Sequence, residues 1–250
     1  MERLAIFAAL QWECRPIVRH LRRVTRTRMA GFTVWRGVTP EREVWLIKTG
    51  VGEQRAAAAA TALGRTGRFD LFLSTGCAGA LAPGLLPGDL AVATKVIRNP
   101  SGECFETDVA SCERAARAAE RAALRTAVGP LVCSPCALAT ADAKRAAAAQ
   151  SGAIAVEMEG AGIAAAAAQA GARFASIRAI FDTATTELDE SGDVIDPQTG
   201  TLKLRSLVRC LAAQPSAVAQ MLALLPMMRA AQEGLDKFFG ALLRADARRG

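Results

Sequence analysis

Residues 155–171 read AVEMEGAGIAAAAAQAG, with two acids, Glu157 and Glu159, placed ahead of a long run of small residues. A surface helix normally alternates a polar and an apolar face with a period of about 3.6 residues, and this run hardly does so. We therefore predict a short strand that leads into a buried helix over residues 160–170. Negative charge at a helix N-terminus is favoured by the helix dipole, so the two acids already have a structural explanation.

Apolar runs alternate with helical segments along the rest of the chain. The predicted strands cover residues 4–10, 44–49, 71–75, 90–97, 153–156 and 174–181. The predicted helices cover residues 53–63, 111–126, 141–150, 160–170 and 202–213. This alternation favours an α/β fold around a central β-sheet. No low-complexity linker or repeat divides the 250 residues, so we expect a single domain over residues 1–250, with a loop over 189–200 and a helical C-terminal extension from about 201.

The charge pattern limits the partners of the protein. The formal net charge is +7. Four arginines recur with the spacing of one helix face: Arg15, Arg19, Arg22 and Arg26. Such a face is either solvated or suited to an anionic membrane surface or a phosphate-bearing partner. No aromatic residues interleave with these charges, which disfavours nucleic acid as a partner.

The cysteine content and the first apolar run bear on the compartment. Seven cysteines with no regular framework favour a reducing compartment, and we expect a cytoplasmic location. The run over residues 4–10 follows Glu2 and lacks a basic leader and a cleavage site, so it is predicted to be a strand and not a signal peptide. No apolar run reaches the roughly 18 residues of a membrane span.

Histidine is scarce, and this narrows the chemistry. Cys133 and Cys136 form a CxxC motif, but a zinc site would need two further ligands and the one histidine is His20. We expect no metal, and two buried thiols near a turn. A lone histidine inside the arginine-rich helix also disfavours Ser-His-Asp and Cys-His mechanisms. Proton transfer is then left to the carboxylates at element ends, which are Glu13, Glu157, Glu159 and Asp182.

Two glycine loops each follow an apolar strand. KTGVGEQRAAA, residues 48–58, resembles the start of a dinucleotide fingerprint, but Arg55 occupies the third glycine position and the expected downstream acid is missing. In STGCAGAL, residues 74–81, Gly76 and Gly79 would let backbone amides approach a ligand closely. A tight structural turn explains either loop nearly as well.

Asp182 ends the predicted strand FASIRAIFD, residues 174–182. Strand alternation puts Arg178, Ile180 and Asp182 on one side. One interpretation is a structural Arg178–Asp182 ion pair. The other is an acid displayed at the carboxyl end of a parallel strand, where open α/β sheets bind ligands.

Five segments together carry a family resemblance. They are AALQWE (8–13), TGVGEQRAAAAA (49–60), STGCAGALAPGLLPGDLAVAT (74–94), AIAVEMEGAGIA (153–164) and FASIRAIFDTA (174–184). In order and spacing they resemble the motifs of the purine nucleoside phosphorylase and nucleosidase superfamily, and within it the methylthioadenosine/S-adenosylhomocysteine nucleosidase branch. The resemblance covers residues 4–186. It implies a single α/β domain with a mixed central β-sheet flanked by helices, and cleavage of an N-glycosidic bond between a purine and a ribose.

The resemblance also implies roles for individual residues. Asp182 would serve the purine N7 as the acid, and Glu13 would orient the attacking water. The implied substrate-binding residues are Glu159 for the ribose 2′ and 3′ hydroxyls, Met158 against the sugar face, Glu157 in support, and Cys77 and Gly79 in the glycine loop. Glu13 favours hydrolysis, whereas Arg15 and Arg55 keep phosphorolysis open, with phosphate as a co-substrate. No other cofactor is expected.

Three departures from the nucleosidase pattern stand out. Cys77 occupies a position where serine or a similar small residue is common. Phe181 replaces a serine that usually steers the catalytic acid. The segment CSPCALATADAKRAAAAQSG, residues 133–152, lacks the aromatic that packs on the adenine.

A second resemblance concerns the substrate. The TGCAGAL loop (75–81), the stretch GDVIDPQTGTLKLRSLVRCLAAQPSAV (192–218) and the apolar tail are similar to the hopanoid-associated phosphorylases. This similarity implies release of adenine from adenosylhopane in hopanoid biosynthesis. Alternatives are a methylthioadenosine-type nucleosidase, another purine nucleoside enzyme, and a nucleoside-binding protein without catalysis.

The apolar tail has two interpretations. Helical pieces interrupted at Pro215 and Pro226 are predicted, and the last carries an apolar stripe of Met227, Met228, Ala231, Leu235, Phe238, Phe239 and Leu242. This apolar stripe packs either on the domain itself or on a partner subunit of a homo-oligomer. Alternatively it makes peripheral contact with a membrane, together with the arginine-rich helix.

Overall fold

The computed structural model describes residues 1–187 and 215–244, with the side chains of the last helix from residue 224 onward. The strands are β1 Glu2–Ala8, β2 Arg22–Met29, β3 Phe32–Val38, β4 Arg42–Lys48, β5 Leu71–Ala80, β6 Leu90–Arg98, β7 Cys104–Glu106, β8 Thr126–Cys133, β9 Ala155–Glu157 and β10 Arg173–Asp182. The helices are α1 Gln11–Val18, α2 Glu53–Gly64, α3 Val109–Arg121, α4 Ala141–Ser151, α5 Gly160–Ala170 and α6 Pro215–Arg244.

The strands join into a mixed ten-stranded sheet in the order β10-β6-β8-β9-β5-β1-β4-β3-β2, with β7 paired to β6. Strand β10 pairs with β6 on one edge and with β5 on the other, so β5, β9, β8, β6 and β10 close into a ring. Strand β1 joins this ring in parallel to β5. The segments that follow β1, β9 and β10 therefore all lie near β5, and the predicted α/β class with a mixed sheet is confirmed.

The small-residue run predicted as a buried helix is α5, and it packs closely on α2. Seven of its residues are buried, from Gly160 to Ala167. A Cβ at Gly162 would lie 2.6 Å from the backbone oxygen of Glu53 in α2, so the two helices approach at backbone distance. A residue larger than glycine would not fit at position 162, because buried interiors leave few voids.

Helix α6 covers the other side of the sheet. One core cluster contains four fully buried residues of this helix, namely Ala231, Leu235, Phe238 and Phe239. The same cluster contains Ile6 of β1 and Ile17 of α1. Packing of the apolar stripe on the domain itself is thereby confirmed, since its central residues belong to the core of this chain.

The predicted arginine-rich helix is wrong. Helix α1 ends at Val18, and Arg22 and Arg26 lie on β2, a strand whose residues are almost all exposed. Val24, Thr25 and Thr27 favour a strand because they are β-branched, and antiparallel pairing with β3 selects that conformation. His20 is likewise outside the helix, and its Nε2 lies 3.0 Å from Asp236 Oδ1 of α6.

Several predicted boundaries also differ. Helix α6 continues through Pro226, where an interruption was predicted, and the burial of its apolar face offsets the lost backbone hydrogen bond. Helix α3 ends at Arg121 because Thr126 already begins β8. The predicted loop over 189–200 and the predicted helix over 202–213 lie outside the described residues. Among the described helices, none is long and apolar enough to cross a membrane.

Candidate functional site

The predicted site residues come from four segments around β5. Glu13 lies in the first turn of α1, directly after β1. Gly76, Cys77 and Gly79 lie on β5 itself. The other acids lie at the β9–α5 junction and at the end of β10. All four predicted carboxylates are buried, namely those of Glu13, Glu157, Glu159 and Asp182.

Glu13 is held directly above β5. Its Oε2 accepts a hydrogen bond from the backbone N–H of Leu10 at 2.8 Å, and its Oε1 accepts one from the N–H of Cys77 at 2.9 Å. Gly76 has a φ of +133°, and a Cβ there would lie 2.8 Å from Glu13 Oε1 and 3.0 Å from Arg178 Nη1. Burial raises the pKa of Glu13, opposed by the hydrogen bond from Leu10 and by the charge of Arg178. The carboxylate and the guanidinium thus meet over a glycine, where no larger residue would fit.

Arg178 is a site residue that sequence reasoning assigned to the wrong partner. Its side chain is 1% exposed. Nη2 donates to Ser74 Oγ at 2.7 Å and to Glu157 Oε2, while Nη1 donates to the backbone oxygen of Thr75 at 3.0 Å and to Glu159 Oε2 at 3.4 Å.

The suggested Arg178–Asp182 ion pair is therefore wrong. The register of β10 against β5 shifts between Ile180 and Asp182, which breaks the strand alternation on which that pairing depended. The signal for Arg178 was present in the sequence, because it is the one charge in the middle of an otherwise apolar strand.

Glu157 and Glu159 have different surroundings. Glu157 Oε2 accepts hydrogen bonds from the N–H groups of Glu159 at 3.0 Å and Gly160 at 2.7 Å, at the start of α5. Glu159 Oε1 instead accepts a hydrogen bond from the N–H of Gly52 at 2.9 Å, in the first glycine loop. Burial, together with the nearby charge of Glu157, raises the pKa of Glu159 to about 7 against the opposing charge of Arg178. Met158 lies partly buried between the two acids.

Asp182 is paired with a lysine that the sequence did not indicate. Lys144 is 1% exposed, and its Nζ donates to Asp182 Oδ2, to the backbone oxygen of Thr183 at 2.9 Å and to that of Thr186 at 2.8 Å. The carboxyl also lies close to Gly79, where a Cβ would be 3.2 Å from Asp182 Oδ1 and 3.4 Å from Oδ2. Burial raises the pKa of Asp182, and the hydrogen bond and charge of Lys144 oppose that rise.

Three cysteines differ in burial: Cys133 is buried, Cys77 is partly buried and Cys136 is exposed. Burial raises the pKa of Cys77 well above its ordinary value, and the nearby charges of Glu13 and Asp182 act in the same direction. Cys77 is therefore a poor nucleophile, since the thiolate is the reactive form. Cys133 is buried as predicted, but Cys136 is exposed, so the prediction of two buried thiols is wrong for Cys136.

The two arginines that kept phosphorolysis open lie in different places. Arg15 is exposed and lines a cleft of about 480 Å³ between α1 and α6, whereas Glu13 of the same helix is buried against β5. Arg55 donates through Nε to the backbone oxygen of Thr49 at 3.3 Å, and its guanidinium lies 6.0 Å from the Phe32 ring centre.

Known nucleosidases are similar to this chain in sequence and in fold. A 5′-methylthioadenosine/S-adenosylhomocysteine nucleosidase of Staphylococcus aureus (strain MRSA252) is 24% identical over 204 residues, covering 75% of this chain and 90% of the relative. Among solved structures, the nucleosidase of that name from Neisseria meningitidis, in complex with methylthio-immucillin-A, has a TM-score of 0.79 at 19% identity and covers 98% of this chain and 100% of its own. Futalosine hydrolase of Helicobacter pylori has a TM-score of 0.76 at 17% identity, with 98% of each chain covered.

At these identities the solved structures establish the likeness of fold. The family profile described as the Phosphorylase superfamily goes further, because it matches residues 3–209. That range contains each of the four acids and the two glycine loops that surround them. On that match, which spans most of the sequence, the chain belongs to the phosphorylase superfamily.

Proposed function

We propose that this protein is an enzyme that hydrolyses the N-glycosidic bond of an adenine nucleoside. One observation carries the proposal: three buried carboxylates meet around β5, with Glu13 against Gly76, Asp182 against Gly79, and Glu159 paired with the Arg178 guanidinium that lies above Gly76. Buried acids with raised pKa values are costly for a fold. Their concentration along one strand is therefore typical of a catalytic site.

The chemistry divides among the three carboxyl groups. Departure of the base leaves an oxocarbenium-like sugar, so the base takes up a proton as the C1′–N9 bond breaks. Asp182 supplies that proton to the purine N7. Glu159 accepts hydrogen bonds from the ribose 2′ and 3′ hydroxyls, and Met158 packs against the sugar face. Glu13 takes a proton from the water whose oxygen bonds to C1′.

Water is favoured over phosphate as the nucleophile. A phosphate would need cations with accessible free donors. Both Nη atoms of Arg178 already donate to Glu157, Glu159 and the Ser74–Thr75 segment, and its Nε is buried. Arg15 faces the α1–α6 cleft instead. Adenine release measured with and without inorganic phosphate tests this assignment. We expect equal rates and a sugar product that keeps its 5′ substituent and has a free C1′ hydroxyl, whereas a strict phosphate requirement with a ribose 1-phosphate product would contradict it.

For the substrate we propose adenosylhopane, on the similarity of the TGCAGAL loop to hopanoid-associated phosphorylases. The exposed arginines of β2 offer a basic surface compatible with an anionic membrane carrying a lipid nucleoside. The apolar stripe of α6 no longer supports this substrate, since its central residues are in the core.

Methylthioadenosine is the second candidate substrate. It is favoured by the similarity to the named nucleosidases of Staphylococcus aureus and Neisseria meningitidis. The deciding experiment is a panel that measures adenine release from adenosylhopane in lipid vesicles, methylthioadenosine, adenosine and futalosine. Rapid cleavage of methylthioadenosine with no action on adenosylhopane would defeat the lipid assignment. Binding without release of adenine from any of them would favour a nucleoside-binding protein.

A further inference from the structure

We infer that Lys144 is a positioning residue for Asp182: it fixes the orientation of the carboxyl and sets the pH range over which that carboxyl carries a proton. The inference rests on the proposed function, in which Asp182 protonates the leaving base. The nucleosidase resemblance implies that the residue before the acid, here Phe181, orients the carboxyl. Lys144 of α4 has that role instead.

The packing of α4 is the first observation. Helix α4 reads ADAKRAAAAQS, and its one buried residue is Lys144. An alanine-rich helix usually packs through its alanines, yet here the most buried contact is an ion pair. Burying an ammonium group is unfavourable unless it is paired and hydrogen-bonded, so the position of Lys144 depends on Asp182.

The donor geometry is the second observation. An ammonium group has three N–H donors, and Lys144 directs them to Asp182 Oδ2 and to the backbone oxygens of Thr183 and Thr186. The two carbonyl contacts also tie Nζ to the backbone that follows Asp182. Asp182 Oδ2 thereby faces Nζ of α4, while both carboxyl oxygens lie close to Gly79 of β5. Oδ1, which Lys144 does not contact, is the oxygen left to carry the proton to the base.

The residue before the acid is the third observation. Phe181 stands where the resemblance leads one to expect a steering serine. Phe181 has no hydroxyl, and it packs against the hydrophobic cluster that contains the α6 residues. Asp182 therefore has no orienting hydroxyl from that position, and Lys144 supplies the missing constraint from another element.

Electrostatics give Lys144 its second effect. The charged and titratable groups that face Asp182 are Lys144 from α4 and the Cys77 thiol from β5, while β9 contributes the apolar Val156 beside Gly79. Burial raises the pKa of Asp182 and Lys144 opposes it. Without the ammonium, burial is opposed only by a backbone hydrogen bond within Asp182, and the carboxyl keeps its proton to higher pH.

The test compares Lys144→Met with Lys144→Arg and with Arg145→Met as the matched control. Arg145 is the neighbouring exposed cation, and its ion pair joins it to exposed Asp142. In Lys144→Met we expect the alkaline limb of kcat/KM to move up by about one pH unit or more, because a close opposite charge shifts a carboxyl pKa by about 1–3 units. We also expect kcat to fall more than KM changes. Lys144→Arg keeps the limb near its original pH, and Arg145→Met changes neither parameter.

A loss of kcat with an unmoved limb in folded Lys144→Met would reduce Lys144 to a structural role and overturn the inference. If Lys144→Met does not fold, Lys144→Gln takes its place, since it removes the charge but can still donate to Thr183 or Thr186. Carbon-13 NMR titration of the Asp182 carboxyl in the same variants needs no turnover. If the wild-type protein releases no adenine, the proposed function fails, and an unchanged Asp182 titration in the neutral variants then overturns the inference independently.

Discussion

Glu157 and Glu159 lie two positions apart, and their carboxylates serve different partners. Glu157 accepts the first backbone N–H groups of α5 and pairs with Arg178. It satisfies donors that a helix N-terminus leaves without an intrahelical acceptor. Glu159 turns instead to the loop at Gly52. The helix-dipole explanation of the two acids therefore accounts for Glu157 and not for Glu159, for which we propose the ribose contact.

The raised pKa of Glu159 predicts a pH dependence. Its value of about 7 means that the carboxyl gains a proton as the pH falls below neutrality. A protonated carboxyl accepts hydrogen bonds from the ribose hydroxyls poorly, so we expect kcat/KM for adenine release to fall below about pH 7. In Glu159→Gln that limb should disappear, and kcat/KM at pH 8 should fall about 100-fold, as for loss of hydrogen bonds to a charged group.

The control for this profile is Glu113→Gln, an exposed carboxylate of α3 paired with Arg117, which should keep the wild-type curve. An acid limb that persists in Glu159→Gln would contradict the assignment. It would then belong to Glu13, since burial raises the pKa of Glu13 as well.

Because Asp182 is paired with buried Lys144, we expect removal of the Asp182 charge to lower stability as well as activity. In Asp182→Asn the buried ammonium loses its counter-charge, and breaking a buried pair in this way costs about 3–5 kcal/mol. We expect urea unfolding to report a loss of that size. The double variant Lys144→Met/Asp182→Asn should recover much of it while remaining inactive. Equal stability of the single and double variants would show that Lys144 does not depend on Asp182.

At the scale of elements, β5 organises the site through its glycines. Gly76 lies under Glu13 and Arg178, and Gly79 lies under Asp182. The strand runs parallel to both β1 and β10, so the acid after β1 and the acid at the end of β10 reach the same strand three residues apart. The absence of side chains at these two positions is what makes room for the acids and for a substrate.

We expect Gly76→Ala to impair catalysis by a steric route. The new Cβ would lie 2.8 Å from Glu13 Oε1 and 3.0 Å from Arg178 Nη1, and a displacement of about 1 Å at a reacting group can reduce the rate about 100-fold. Gly31→Ala is the matched control. Its φ of +86° is also positive, but no atom lies within 4 Å of its Cβ.

Both variants should lose stability, because alanine is strained at positive φ. Only Gly76→Ala should lose kcat. Steady-state kinetics and thermal unfolding of both variants check this prediction, and an equal loss of kcat in the two would point to backbone strain instead of a clash with the acids.

At the scale of the whole molecule, α6 completes the core of the domain. Phe238 and Phe239 are fully buried, with ring centres 5.1 Å apart. The helix is also tied to the end of α1, where Asp236 pairs with Arg19 at 3.0 Å and with His20 at 3.0 Å. Since α1 contains Glu13, the packing of α6 against α1 helps to fix the position of Glu13.

We therefore expect Phe238→Ala to destabilise the protein by about 3–5 kcal/mol, as large-to-small core substitutions of phenylalanine do. Leu225→Ala in the same helix is the control, since Leu225 is 36% exposed, and it should change the free energy of unfolding by less than about 1 kcal/mol. Urea unfolding of both variants decides the matter. A small effect of Phe238→Ala would contradict packing of the apolar stripe in the core and would favour its contact with a partner subunit or a membrane.

Much of the framework was predictable from local patterns. The α/β alternation, the buried α5 and the acids at element ends follow from side-chain periodicity and glycine placement, which act over a few residues. The segment over residues 22–29 was not predictable in this way. Its arginine spacing fits a helix and its β-branched residues fit a strand, and only pairing with β3 decides between them.

The amino-acid sequence by itself determined the fold class, the order of the motifs and the set of acids at element ends, which are Glu13, Glu157, Glu159 and Asp182. These depend on periodicity and on residue types that lie close together in the chain. Only the tertiary structure decided which cation meets which acid. Lys144 reaches Asp182 across 38 positions and Arg178 reaches Glu157 across 21. In the sequence, Lys144 is indistinguishable from Arg145 beside it, because burial and pairing are properties of the packed elements and not of the residue alone.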